Sequence, residues 1–275
     1  MEIQAVKPFP NISLNFQEAY AIGDQLWALG KVLQDDPKYN KPPNWVLTYR
    51  YAVRAMLARI MTVDREYRGL NEVGCGTASA EEMTTQKARN RWNIVWESYA
   101  GALFFAMDSS LECFAYALNA LGCLLSPSEF LDITADERLR RITPANLFDP
   151  PSKGNAGHSA YAVCLKWFPR ICGHWAANRS LLAQIIEYHD ATKHRHSVVV
   201  GQAWDSYACV TGGHLLKPAP KQAMGNVVFT GSMVLHNQEC SLQSMATAYR
   251  TFMIDWLRLT RQELEAIFGN LPEEL

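Results

Sequence analysis

At 275 residues, 48% hydrophobic and 19% charged, the chain can bury a sizeable core and is too apolar for the disordered class. A formal net charge of -1 gives no overall positive field, so any pull on nucleic acid or an anionic membrane must come from a local patch. The most apolar stretch, Ala100 to Leu125, carries Asp108 and Glu112 near its middle and so does not read as a membrane span, which needs roughly 20 nearly unbroken apolar residues.

A first helix is predicted from about Phe16 to Leu33, with Asn15 and Glu18 in capping-box spacing and Leu26, Leu29, Val32 and Leu33 on an apolar face. Asp35-Asp36-Pro37 and Pro42-Pro43 stop it. A second helix, from about Trp45 to Tyr67, places Val46, Val53, Leu57 and Ile60 opposite Arg50, Arg54 and Arg65. Gly69 to Ser79 reads as a plain glycine-rich loop, since Gly74-Cys75-Gly76 lacks the Gly-Lys-Ser/Thr of a phosphate cradle. The longest helical pattern covers about Glu81 to Leu125, with a bend allowed at Gly101 and the basic run Lys87 to Arg91 as a solvated start. Residues 128–157 read as irregular, a lid or a crossover, with basic residues at Arg138, Arg140 and Arg141. Helices return at about Ala160 to Phe168 and Ala176 to Lys193.

The pattern then changes. Residues 197–204, 207–211 and 226–235 are rich in β-branched and aromatic side chains, and turns separate them, as in a small antiparallel sheet. A last amphipathic helix spans about Ser241 to Phe268. The expected fold is mainly α: a single helical domain over 1–275. Its bundle is drawn from about 81–196 and 241–268, with β hairpins at about 197–236 as an appendage before the C-terminal helix.

Zinc-protease, nucleophile-elbow, Walker, dinucleotide and zinc-deaminase signatures are all missing. The N-terminus has no secretory pattern. The seven cysteines are scattered and never spaced Cys-x-x-Cys, as expected of small buried hydrophobes in a reducing compartment. A soluble cytoplasmic protein is the expectation.

Chemistry concentrates in one segment, Glu187-Tyr188-His189-Asp190-Ala191-Thr192-Lys193-His194-Arg195-His196. It reads in three ways. Cationic side chains favour a helix C-terminus, so the cluster can simply finish a helix. A metal site is a second reading, with Asp108 or Glu112 completing the ligands. However, His189 and His194 are five apart and diverge by roughly 140° on a helix, and the Glu-x-x-His pairs of di-iron bundles are absent. No metal or cofactor is assigned.

The third reading is a resemblance. Ser110 to Gly122 looks like the helix bearing an inward acid in the HEPN superfamily of nucleotide-binding helical domains. Tyr188 to His194 resembles that family's Tyr-Arg-Asn-x-x-x-His segment. The likeness implies metal-independent RNA cleavage at a dimer interface. It places His194 on the catalytic histidine, Asp190 on the variable polar residue, Glu112 on the helix acid, and His189 where the family has arginine. That last departure matters, because an imidazole is only partly charged near neutrality and cannot make the planar two-pronged phosphate contact of a guanidinium. Lys193 or Arg195 is then the substitute cation, with His196 beside them. Two functions follow: a degenerate ribonuclease acting through His189, Asp190 and His194, or a non-catalytic module binding RNA, a nucleotide or a protein. A homodimer is implied by the resemblance alone. A second cluster, Trp167, Phe168 and Trp175 with His158 and His174, fits buried packing better than base stacking.

Overall fold

The structure, a computed structural model, describes residues 13–74, 86–132, 141–150, 160–194, 214–216 and 239–272. The side chains of 71–74, 86–93, 96–97, 191–194, 214–216 and 239–243 lie outside the description. The described residues are mainly helical: α1 (Gln17–Asp35), α2 (Trp45–Gly74), α3 (Gln86–Leu125), α4 (Pro144–Phe148), α5 (Ala160–Trp167), α6 (Pro169–Ala177), α7 (Arg179–His194) and α8 (Leu242–Phe268). None of these helices is long and apolar enough to cross a membrane.

Several expectations change at this level. Phe16, not Asn15, is the N-cap of α1, and no side chain caps it, so the capping box does not form. Val32 is exposed, although Leu26, Leu29 and Leu33 are buried as expected. The supposed loop starting at Gly69 continues α2 to Gly74, with residues 75–79 outside the description. α3 is helical through Gly101. The stretch 128–157 is not wholly irregular, because Thr143 accepts the Asn146 N–H and starts α4 with Pro144 in its first turn.

The helix expected from Ala176 begins at Arg179, and a separate helix, α6, precedes it. Pro169 opens α6 early, since a missing N–H is harmless in a first turn. Asn178 closes it by turning both its backbone N–H and its side-chain amide onto the His174 carbonyl. His214–Leu216 and Glu239–Ser241 form a short antiparallel pair with Leu215 opposite Cys240. The three stretches expected as strands lie outside the described residues, and so does most of the appendage.

The chain divides into two compact units. The first comprises Met1–Asn15, Thr62–Ala106 and Leu181–Arg250. Its described core includes Val63, Tyr67, Leu103, Phe104, Tyr188 and Tyr249. The Leu14 N–H donates to Asp64 at 3.2 Å, and Arg250 donates to the Asn15 carbonyl at 2.9 Å. These bonds tie the entry strand of chain to the unit.

The second unit comprises Phe16–Met61, Met107–Ser180 and Thr251–Leu275. In it α1 and the first half of α2 approach closely. A Cβ on Gly23 would sit 2.3 Å from the Leu57 side chain, and one on Gly30 would sit 2.4 Å from that of Arg50. The two hydrogens in place of side chains admit the second helix. The Tyr49 hydroxyl donates to the Leu26 carbonyl at 3.0 Å across the same contact. An aromatic cluster of Phe114, Phe148, Trp175, Phe252 and Trp256 forms the other part of this unit's core.

Candidate functional site

The polar segment of interest is the end of α7, in the first unit. Leu182, Ile185 and Tyr188 are buried at helical spacing, and Tyr188 stacks on Phe104 with centroids 5.0 Å apart. His189 follows Ile185 by four residues and Leu182 by seven, which puts it on the same inward stripe. It is accordingly buried, at 7% exposure, with its ring edge-on to Phe105 at 5.4 Å. Asp190 is half-buried. The helix extends through Lys193 and His194, whose side chains are outside the description, and Arg195 and His196 lie beyond the described residues altogether.

Because α7 stays helical to His194, positions 190 and 194 are one turn apart on one face. Positions 189 and 193 are related in the same way on the neighbouring face.

Glu112 departs from expectation. It is exposed rather than inward, because the buried stripe of this part of α3 is Leu111, Phe114, Ala115 and Leu118. The inward acid of α3 is Asp108, which is buried and lies one turn before Leu111. Asp108 and Glu112 belong to the second unit, and His189 and Asp190 to the first.

A second polar cluster surrounds α6. Trp175 Nε1 donates to Asp149 at 3.0 Å, and Trp256 Nε1 reaches the Ile171 carbonyl at 3.4 Å. His174 stacks on Phe252, and its Nε2–H donates to the Phe252 carbonyl at 3.1 Å. Phe168 and Trp175 are buried, so these rings are packing elements and not a surface for bases. His158 lies outside the described residues. Glu263 of α8 is buried and accepts the Arg170 N–H at 2.6 Å, and burial pushes its carboxyl up to about 6. Trp167 is held differently: its Nε1 and Lys166 both donate to Glu129.

The described thiols do not suit nucleophilic or metal chemistry. Burial pushes Cys123 and Cys172 up to about 12, and raises Cys113 and Cys164 as well. Among the described residues, no group of three or more His, Cys, Asp or Glu side chains is placed to hold a metal ion.

Two features escaped the sequence reading of the site. The inward place of His189 was visible in its spacing from Leu182 and Ile185, but the density of charge around it drew attention away from that pattern. Glu263 gave no local signal, because its partner is a backbone N–H 93 residues away. No family model, curated protein or solved structure matches the chain.

Proposed function

We propose that the chain is a HEPN-like helical protein that binds a partner without cleaving it. The observation that carries this reading is the burial of His189 at the position where the resemblance expects an arginine. A side chain with so little surface, edge-on to a phenylalanine, is closed off from the charge that gathers on a phosphate during cleavage. On this reading the ligand is RNA, a nucleotide or a protein. The chain acts as a single cytoplasmic domain and pairs as a homodimer, with the expected β hairpins over 197–236.

One observation favours the second reading, a degenerate metal-independent ribonuclease. The helix reaches position 194, so positions 190 and 194 stand one turn apart on one face, the spacing an acid–histidine pair needs. The separating experiment incubates the whole protein with single-stranded RNA in chelator. The wild type, His194→Ala and His189→Arg are expected to leave the RNA intact. Binding of labelled RNA, if RNA is the ligand, is expected to weaken steadily with salt. Cleavage that His194→Ala abolishes and His189→Arg increases would overturn the binding reading in favour of the nuclease.

A further inference from the structure

In the second unit a carboxylate from one helix grips the first turn of another. Glu263 on α8 is buried, and its Oε1 accepts the N–H of Arg170, the second residue of α6. The N–H of Ile171 also faces the carboxyl. Its Oε2 is buried with no hydrogen-bond partner among the described residues. The Arg170 guanidinium is directed to Gln262 at 3.0 Å and stands over the joint as a charge, not as a direct partner of Glu263.

A carboxylate in this position is half satisfied. Oε1 has what it needs, while the negative charge it shares with Oε2 has lost its water. A proton from solvent placed on Oε2 removes that charge and leaves Oε1 as a carbonyl acceptor for the Arg170 N–H. The α6 contact therefore survives proton binding, and the penalty of the buried charge does not.

We propose that Glu263 is a proton-operated clamp on the first turn of α6, tighter when its carboxyl is protonated. This goes beyond the binding reading and does not depend on it. The charged and titratable groups acting on Glu263 are Arg170 and Cys172 on α6, with Cys164 on α5 next to Cys172, while His174 is committed to the Phe252 carbonyl and Arg261 and Glu265 on α8 pair with each other. Cys164 and Cys172 stay protonated throughout. The clamp's carboxyl titrates about 6, above an exposed glutamate. By linkage, opening that returns it to water is harder at acid pH.

The test is amide hydrogen exchange of the α6 first turn in the whole protein, from about pH 7.5 to about pH 5. Glu263→Gln, which mimics the neutral form, serves as the comparison, and both proteins keep His174. After correction for intrinsic rates, the wild-type opening equilibrium is expected to fall roughly eightfold by about pH 5, as a carboxyl at about 6 when closed and 4.5 when open requires over that range. The glutamine protein is expected to stay flat. A wild-type profile as flat as the variant's, or one that loosens toward acid, overturns the clamp. Should the variant fail to fold, the carboxyl carbon of Glu263 followed by NMR in the wild type decides: a midpoint about 6 supports the clamp, and one in the ordinary glutamate range overturns it.

Discussion

Two regions of this chain look alike on paper and are built for different ends. The end of α7 has a histidine, an acid and two aromatic rings close together in His189, Asp190, Tyr188 and Phe105. The α6–α8 joint has the same ingredients in His174, Glu263, Trp175 and Phe252. At the joint, nearly every polar atom holds one helix to another. His174 and Trp256 donate to backbone carbonyls, Trp175 donates to Asp149, and Glu263 caps α6. At α7 the described polar residues follow a helix out to its last turn, and only His189 is drawn into the core. Density of titratable groups therefore does not mark a site. What surrounds each group, and whether its hydrogen bonds are committed to folding, separates a joint from a place that a partner can reach.

The comparison is broken most severely by cutting the joint. Trp256 is fully buried among Phe114, Phe148, Trp175 and Phe252. Trp256→Ala should cost about 3–5 kcal/mol by the usual scale for large aromatic truncations, because the cavity left by an indole cannot fully close. Urea denaturation gives the number. A loss under about 1 kcal/mol would mean that the cluster is not the core of its unit, and that its polar atoms are free for other work.

Helical periodicity carried most of the fold into the sequence. The starts of α2 and α5, the end of α3 and the span of α8 lie within a residue or two of where apolar spacing puts them. Periodicity is silent on what long-range contacts impose. Gly69 reads as a loop residue, yet it lies inside α2, close to the ring of Tyr99. The α6–α7 break depends on Asn178 bonding back to His174, and local composition cannot distinguish that from a continuous helix. For the site, the resemblance fixed attention on Glu112 as an inward acid. The stripe of Leu111, Phe114 and Leu118 instead places it outside and Asp108 inside. That stripe was readable beforehand, but a motif read residue by residue ignores which way a helix face points.

A milder change sharpens the contrast from the other side. His189 is buried, but its ring meets Phe105, which is itself 40% exposed. His189→Ala should cost about 1–2 kcal/mol, less than the tryptophan, because the surface ring beside it can settle into the space. Chemical denaturation of the two variants side by side is the check. A cost equal to that of Trp256→Ala would make the end of α7 as much a core element as the joint. The proposed binding surface would then have to lie elsewhere.

The smallest effect is a matter of pH, and it sets one acid against another within the second unit. Hydrogen bonds from Lys166, Trp167 and Ser126 hold the Glu129 carboxyl down at about 2. The Lys166 nitrogen is 2.5 Å and the Trp167 nitrogen 2.8 Å from its oxygens. A carboxyl whose folded pKa is lowered stabilises the fold above its unfolded value, and that contribution is lost as pH falls from the model value 4.5 to about 2. Glu263 acts with the opposite sign and in another window: its raised value makes the fold gain stability as pH falls through about 6 toward 4.5. The melting temperature should therefore rise slightly between those two points before acid lowers it. Glu129→Gln should flatten only the lower limb, and added salt should shrink that limb in the wild type, since the Lys166 pair is exposed to screening. If the lower limb is unchanged in Glu129→Gln, other carboxylates govern acid unfolding and the Glu129 network is decoration on the surface of α5.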